Sequence, residues 1–371
     1  MMAFQTNLPG TNRTVIKHKE YGEDGWNTDE SFSPYFYVDG SEGYRLPDGV
    51  DGRVERSVPE RAYDGTGLHK VFVANTRAVS EARSEADNHF EADIPFERRW
   101  FIDNVAGSLA GEGDIPDERP HIMHIDIEVG TDGLGRPDPM EASRPVVSVS
   151  LYSERADRHI DLLLKPDGWE PAGDGWETKT DDDGREFVDP GWDGPDGSVY
   201  VFDNEVELLG TLASVLDRTN VEVLTGWNVE GFDIAYLITR MSSLNGIHES
   251  LLSPLAECYT SEWYTDSGER RIKAVIKGID VFGMMDAYKH LKRRDKPPNW
   301  KLETVAEYES GVEVGKVPFD NSRVSEAWRD DPMEVMRYNR RDALLTDRVA
   351  GALNVFDLFL EMQRAFAMPL P

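Results

Sequence analysis

The chain has 371 residues and carries 70 Asp and Glu against 40 Lys and Arg, a formal net charge of −30. That length permits two domains and a sizeable core, and the single Cys258 excludes an intramolecular disulfide and fits a reducing, cytoplasmic setting. No signal-peptide pattern and no apolar run of membrane-spanning length is seen, and the eight scattered histidines, His121 and His124 among them, are read as packed or solvent-facing and not as a zinc site.

Residues 1–119 are rich in Gly, Asp and short aromatic runs, which predicts a β-rich, loop-rich N-terminal domain. His121 to Val129 is apolar, β-branched and too short for a capped helix, so it reads as a buried strand. Side chains two apart on a strand share a face, so Asp126 and Glu128 project together. Val146 to Tyr152 alternates and should pair with that strand, and His159 to Lys165 supplies a third. Asp, Gly, Pro and Trp dominate 166–198, which reads as a long acidic surface insertion. Glu205 to Leu216 has helical spacing. A further apolar run, Val221 to Asn228, leads into a helix from Asp233 to Met241, with Asp233 in its first turn.

Thr265 to Gly268 lies between Glu262–Tyr264 and Arg271–Ile276, a hairpin signature. Asp331-Pro332-Met333-Glu334 is a helix start, with an Asp cap, Pro in the first turn and Glu three residues on. That helix runs through Tyr338 and Asp342, four apart and so on one face, and the adjacent Arg340-Arg341 pair reads as a solvated or DNA-facing flank. Asn354 to Phe366 forms a last amphipathic helix.

Each acidic segment has a plain alternative. Asp126-Ile127-Glu128 could be a solvated pair on an edge strand, Asp233 an ordinary first-turn acid, and Tyr338 with Asp342 part of a surface helix. Two like charges side by side in a core sheet are costly unless cations compensate, and Mg²⁺ takes carboxylate oxygens. Together the segments supply four acids and a tyrosine, the inventory for holding two divalent ions beside a phosphodiester.

In this order, Asp126-Ile-Glu128, Asn228-Val-Glu-Gly-Phe-Asp233 and Tyr338-Asn-Arg-Arg-Asp342 resemble the three motifs of the DnaQ-like, RNase H-fold 3′–5′ exonucleases, tyrosine branch. Thr225 to Asp233 further resembles the second exonuclease motif of family B DNA polymerases, notably those of tailed phages. His89 to Asp103, Gly278 to Lys289 and Lys301-Leu-Glu resemble flanking stretches of the same enzymes, so the likeness runs from about residue 65 to the end. The resemblance implies an α/β fold: an RNase H-like exonuclease domain over 120–349, with a mixed central sheet flanked by helices. A β-rich domain over 1–119 precedes it, and a C-terminal helix over 350–371 leads towards that domain or a palm.

The resemblance also implies a metal-dependent 3′–5′ proofreading exonuclease acting on single-stranded or frayed DNA in replication. Asp126, Glu128, Asp233 and Asp342 would hold two Mg²⁺ or Mn²⁺ ions, with Asp126 bridging and Asp233 serving the second. Tyr338 would orient the attacking water, since a tyrosine's ordinary pKa of about 10 makes it a poor base near pH 7. A hairpin at 262–276 would help to part primer from template. The palm signatures of the family are absent from this sequence, so the expectation is one half of a split polymerase, with a separate polymerase chain as partner, or a truncated product. The alternatives are a free-standing exonuclease and a catalytically silent DNA-binding scaffold.

A charge of −30 sits awkwardly with DNA binding. Adaptation to high salt is one explanation. The other is local asymmetry: Arg270, Arg271, Lys273 and Lys277, and a basic island from Lys289 through Lys292, Arg293 and Arg294 to Lys301. These would track the DNA backbone, with Trp300 near a base and Asn228 and Phe232 touching the frayed strand. Solvated basic loops are the plain alternative.

Overall fold

The computed structural model describes residues 1–41, 43–105, 118–131, 135–171, 175–309, 323–366 and 370. The chain divides into two units, Met1–Glu118 with Leu360–Leu370, and Arg119–Phe359 with Pro371.

The first unit holds two sheets, as its Gly- and aromatic-rich sequence predicts. Strands β1 (Met2–Asn7), β2 (Thr14–Lys19) and β3 (Asn27–Asp29) form an antiparallel three-stranded sheet. Strands β4 (Tyr35–Asp39), β5 (Gly52–Glu55), β6 (Leu68–Val73) and β7 (His89–Phe90) form a second, in the order β5-β6-β4-β7. Helix α1 (Thr76–Arg83) starts where the Asn75 side chain accepts the Ala78 N–H, and its Ala78 and Ala82 pack with Phe36, Val38, Val71 and Val73. Helix α2 (Phe96–Asn104) sets Phe96, Trp100 and Phe101 against Ala3 and Ile16.

The second unit is built on a mixed eight-stranded sheet in the order β11-β12-β13-β10-β9-β8-β14-β17. Its centre is β8 (Ile122–Val129), β9 (Val146–Ser153) and β10 (Arg158–Leu164), with β9 paired antiparallel to both neighbours; the pairing of β9 with the Asp126 strand is the expected one. β14 (Val223–Gly226) runs parallel to β8, and β17 (Asp280–Gly283) parallel to β14. All eight residues of β9 are buried, which requires cover on both faces.

Odd-numbered β8 residues, Met123, Ile125, Ile127 and Val129, enter one apolar cluster. That cluster includes Leu208, Leu209, Leu212 and Leu216 of α3 (Glu205–Arg218) and Ile234, Leu237 and Met241 of α4 (Asp233–Ser243). The even-numbered residues His124, Asp126 and Glu128 therefore point to the other face. There α8 (Pro332–Ala352) packs on β8 and β9. Its start is capped as the sequence predicts: Asp331 Oδ1 accepts the Glu334 N–H at 3.0 Å. Between α4 and α8 run α5 (Met284–Leu291), α6 (Leu302–Tyr308) and α7 (Val324–Asp330). The last helix, α9 (Val355–Phe366), contains the division between the units.

The stretch 166–198 departs from the expected surface insertion. It forms β11 (Thr178–Thr180) and β12 (Glu186–Val188), a hairpin that leads into β13 (Asp196–Phe202), which joins β10 in parallel. Trp169, Trp176 and Trp192 pack towards Met333 and Met336 of α8. Tryptophans with a helix to cover are core material even inside an acidic run. The expected hairpin is present as β15 (Cys258–Tyr264) paired with β16 (Arg270–Ile276), with Trp263 and Tyr264 exposed. Among the described residues no helix is long and apolar enough to cross a membrane.

Candidate active site

Three elements bring the predicted acids to one face of the sheet. β8 supplies Asp126 and Glu128 by alternation. β14 lies so close beside β8 that a Cβ on Gly226 would sit 2.5 Å from the Ile125 carbonyl oxygen. Only glycine fits there, and the chain turns immediately through Trp227 to Phe232. A Cβ on Gly231 would meet Asn228 Oδ1 at 2.8 Å, so a larger residue there would push the Asn228 side chain aside. The turn delivers Asp233 to the first residue of α4, where the helix dipole favours an anion. Asp233 Oδ1 accepts the Ile127 N–H at 3.2 Å, tying the second motif to the backbone between Asp126 and Glu128.

α8 supplies the rest. Asn339 Nδ2 donates to Asp126 Oδ2 at 2.9 Å. The Tyr338 hydroxyl hydrogen-bonds to Asp342. Arg341 Nη2 lies 3.0 Å from Asp342 Oδ1, and its guanidinium carbon 5.2 Å from the centre of the Tyr338 ring.

The Arg340-Arg341 pair is expected on a solvated or DNA-facing flank, and for Arg340 the structure corrects this. Arg340 is buried, with Nη1 3.3 Å from Asp161 Oδ2 on β10 and a second hydrogen bond to the Pro195 carbonyl. Asp161 in turn accepts from Ser150 Oγ at 2.6 Å. Two residues from both Tyr338 and Asp342, Arg340 leaves α8 on a different side from them, and a buried guanidinium needs a carboxylate partner. Ser150 is the β9 partner of Asp126 and Asp161 the β10 partner of Ser150, so this network lies beside Asp126 on the same face of the sheet.

The electrostatics are those of carboxylates forced together. Asp126 is held well above the usual carboxylate range, first by burial, then by Asp233, Asp342 and Glu128. Glu128 is raised in the same way by burial, Asp342 and Asp233. Burial raises Asp233 to about 6 despite the Ile127 N–H. Asp342 is raised by burial, with Arg341 and Tyr338 opposing. Such a set relaxes when cations enter, and four carboxylates are hard oxygen donors that fit Mg²⁺ or Mn²⁺.

The residues expected at DNA lie on several elements: the turn before α4, strand β16, and the stretch from α5 to Trp300. Phe232 is the cap of α4, with its ring 5.6 Å from that of Tyr236 and the Arg136 guanidinium 5.5 Å over it. Asn228 is half-buried in the same turn. The Trp300 ring packs edge-on to Tyr288, with Lys289 Nζ 5.9 Å above it, and its carbonyl accepts from Trp227 Nε1 at 2.8 Å. Several basic groups already face acids. Arg270 pairs with Asp138 at 2.7 Å and Glu262 at 2.6 Å, Arg271 with Glu269 at 3.0 Å, and Lys292 with Glu309 at 3.0 Å. Arg293 and Arg294 are exposed, whereas Lys277 is buried and cannot line a surface track.

Sequence reasoning missed Asn339. The signal was available, since Asn339 lies three residues before Asp342 and so near its face of the helix. Asp161 carries no local pattern, and only the fold brings it to Arg340.

A family model for the exonuclease domain of DNA polymerase family B matches residues 106–305. The match takes in Asp126, Glu128 and Asp233 and ends before Tyr338 and Asp342. The chain is 29% identical over 251 residues to the DNA-directed DNA polymerase of Escherichia phage RB69, covering 65% of this chain and 26% of the phage protein. It is 27% identical over 253 residues to that of Enterobacteria phage T4, covering 67% and 27%. Similarity to the DNA polymerase of Pyrococcus glycovorans is 23% over 379 residues, covering 96% of this chain and 42% of that protein. The chain thus spans about a quarter of the length of the phage relatives.

Proposed function

Because the chain belongs to DNA polymerase family B, through its exonuclease domain, we propose that its carboxylate cleft hydrolyses the 3′-terminal phosphodiester of single-stranded or frayed DNA. The product is a nucleoside monophosphate, and the role is proofreading during DNA replication. The observation that carries this reading is the convergence of Asp126, Glu128, Asp233 and Asp342 from β8, α4 and α8 into one electrostatically coupled cluster.

Two divalent cations, Mg²⁺ or Mn²⁺, held by these four carboxylates would supply an ionised water at neutral pH and positive charge for the leaving 3′ oxygen. The protein's own groups do the positioning. Asn339 and the Ile127 N–H fix the rotamers of Asp126 and Asp233, so that the donors are set before substrate arrives. Tyr338, held between Asp342 and Arg341, presents its hydroxyl to orient the attacking water. An unpaired 3′ end is favoured because it costs least to draw into the cleft.

The test is a 5′-labelled single strand incubated with the full chain, with Mg²⁺ or with EDTA, beside an Asp126→Ala/Glu128→Ala variant. A ladder that shortens from the 3′ end with Mg²⁺ and wild type only is expected. Equal shortening by the double variant would refute the assignment.

A further inference from the structure

We propose that His124, Glu154 and Asp347 form a second cation site, structural and of the zinc class, that ties β8 to α8 beside the carboxylate cleft. His124 is two residues from Asp126 on β8 and faces the same side. Asp347 lies five residues beyond Asp342 on α8. Glu154 follows the end of β9, next to Ser153, which pairs with Met123. One ligand atom from each of the three lies within 4.8 Å of the others.

The imidazole is what marks the place. His124 is fully buried, and neither of its ring nitrogens has a hydrogen-bond partner. Buried polar groups are ordinarily satisfied, so this one asks for an explanation. Its Nε2 is 3.2 Å from Asp347 Oδ1, but without the geometry of a hydrogen bond. Zinc takes His nitrogen and carboxylate oxygen at about 2.0–2.2 Å, which places neighbouring ligands in one shell roughly 3–3.5 Å apart. The His124–Asp347 gap already has that spacing. Glu154 needs only to swing inward, and its side chain is 33% exposed, so there is room to move and a way in from solvent.

Aromatic rings wall the buried side of the site. The rings of Tyr152 and Phe356 lie 6.1 and 6.0 Å from the His124 ring. Arg119 Nη2 holds Glu154 Oε1 at 3.0 Å, a competing positive charge, although a carboxylate has a second oxygen to offer a metal. An imidazole in the donor set separates this site from the all-oxygen cleft. Mg²⁺ prefers oxygens and keeps its waters, whereas zinc-class ions accept nitrogen readily. A cation here would fix the end of α8 on the strand that carries Asp126, and so steady the helix that brings Tyr338 and Asp342 to the cleft.

The test uses the full chain carrying Asp126→Ala/Glu128→Ala, so that the cleft is disabled whatever its function. It is titrated calorimetrically with Zn²⁺ in excess Mg²⁺, and the histidine imidazole resonances are followed by NMR. One equivalent of Zn²⁺ is expected, with a shift of the His124 resonances and a rise in Tm. Adding Asp347→Asn or Glu154→Gln, both at partly exposed positions and checked for folding by circular dichroism, should weaken Zn²⁺ by more than about tenfold. Failure to bind Zn²⁺ over Mg²⁺, or binding that Asp347→Asn leaves unchanged, would overturn the proposal.

Discussion

Asn339 of α8 donates a 2.9 Å hydrogen bond to Asp126 of β8, so the helix bearing Tyr338 and Asp342 grips the strand bearing the first acid directly. Asn339 is fully buried, and the bond is made to a group that is charged when it holds a cation. Outer-shell partners of this kind govern ligand orientation, and losing one costs about 10–100-fold in metal affinity or activity. Asn339→Leu should lower Mg²⁺-dependent nuclease activity by about that factor with little change in Tm. Steady-state kinetics across a Mg²⁺ titration would show it, and unchanged kinetics would count against the role.

The Arg340–Asp161 pair makes a stability prediction. Both side chains are almost wholly buried. Removing one partner leaves a buried charge uncompensated, which typically costs about 3–5 kcal/mol. Asp161→Ala should therefore destabilise strongly in urea unfolding, and Arg340→Met/Asp161→Leu should recover much of the loss. If the single and double variants unfold alike, the pair is not what holds α8 to β10.

The raised carboxylates fix the sign of a pH effect. In the metal-free chain, Asp126, Glu128 and Asp233 bind protons more tightly when folded than when unfolded. Their contribution to stability is complete below the ordinary carboxylate pKa of about 4. It is lost as pH rises through about 6 for Asp233, and the raised Asp126 and Glu128 act in the same direction. The Tm without metal should fall as pH rises from about 4 through about 6. Mg²⁺ should restore it most at the alkaline end, and Asp126→Asn/Glu128→Gln should flatten the slope. Equal slopes for wild type and variant would contradict the account.

Much of this was legible beforehand. Alternation around Asp126, the Asp331-Pro332 cap and the Tyr338–Asp342 spacing are local patterns, and each gave its element correctly. What stayed hidden depends on residues far apart in sequence. Arg340 reads as a surface charge until β10 places Asp161 beneath it, and the acidic 166–198 stretch reads as loop until its tryptophans find α8. The basic islands looked like a DNA track because sequence does not reveal that Asp138, Glu262 and Glu309 sit opposite Arg270 and Lys292.

Those ion pairs carry a further prediction. A single-strand binder loses affinity with a log–log salt slope of about −0.7 per phosphate neutralised. With Arg270, Arg271 and Lys292 already engaged by acids, few cations remain for exchange, and the slope should be shallower than about −2. Replacing the exposed Arg293 and Arg294 with Ser should make it shallower still. A steep slope in fluorescence anisotropy would show that the pairs open to phosphate. A shallow one would show that the pairs stay closed in the complex.

The most direct measurement is single-turnover release of a labelled 3′-terminal nucleotide by the full chain, at low and molar KCl. Wild type would be compared with Asp126→Ala, Glu128→Ala, Asp233→Ala and Asp342→Ala. The account predicts Mg²⁺-dependent release of a nucleoside monophosphate by wild type and near-complete loss in all four variants. Release that persists without metal, or in the Asp126 and Glu128 variants, would contradict it.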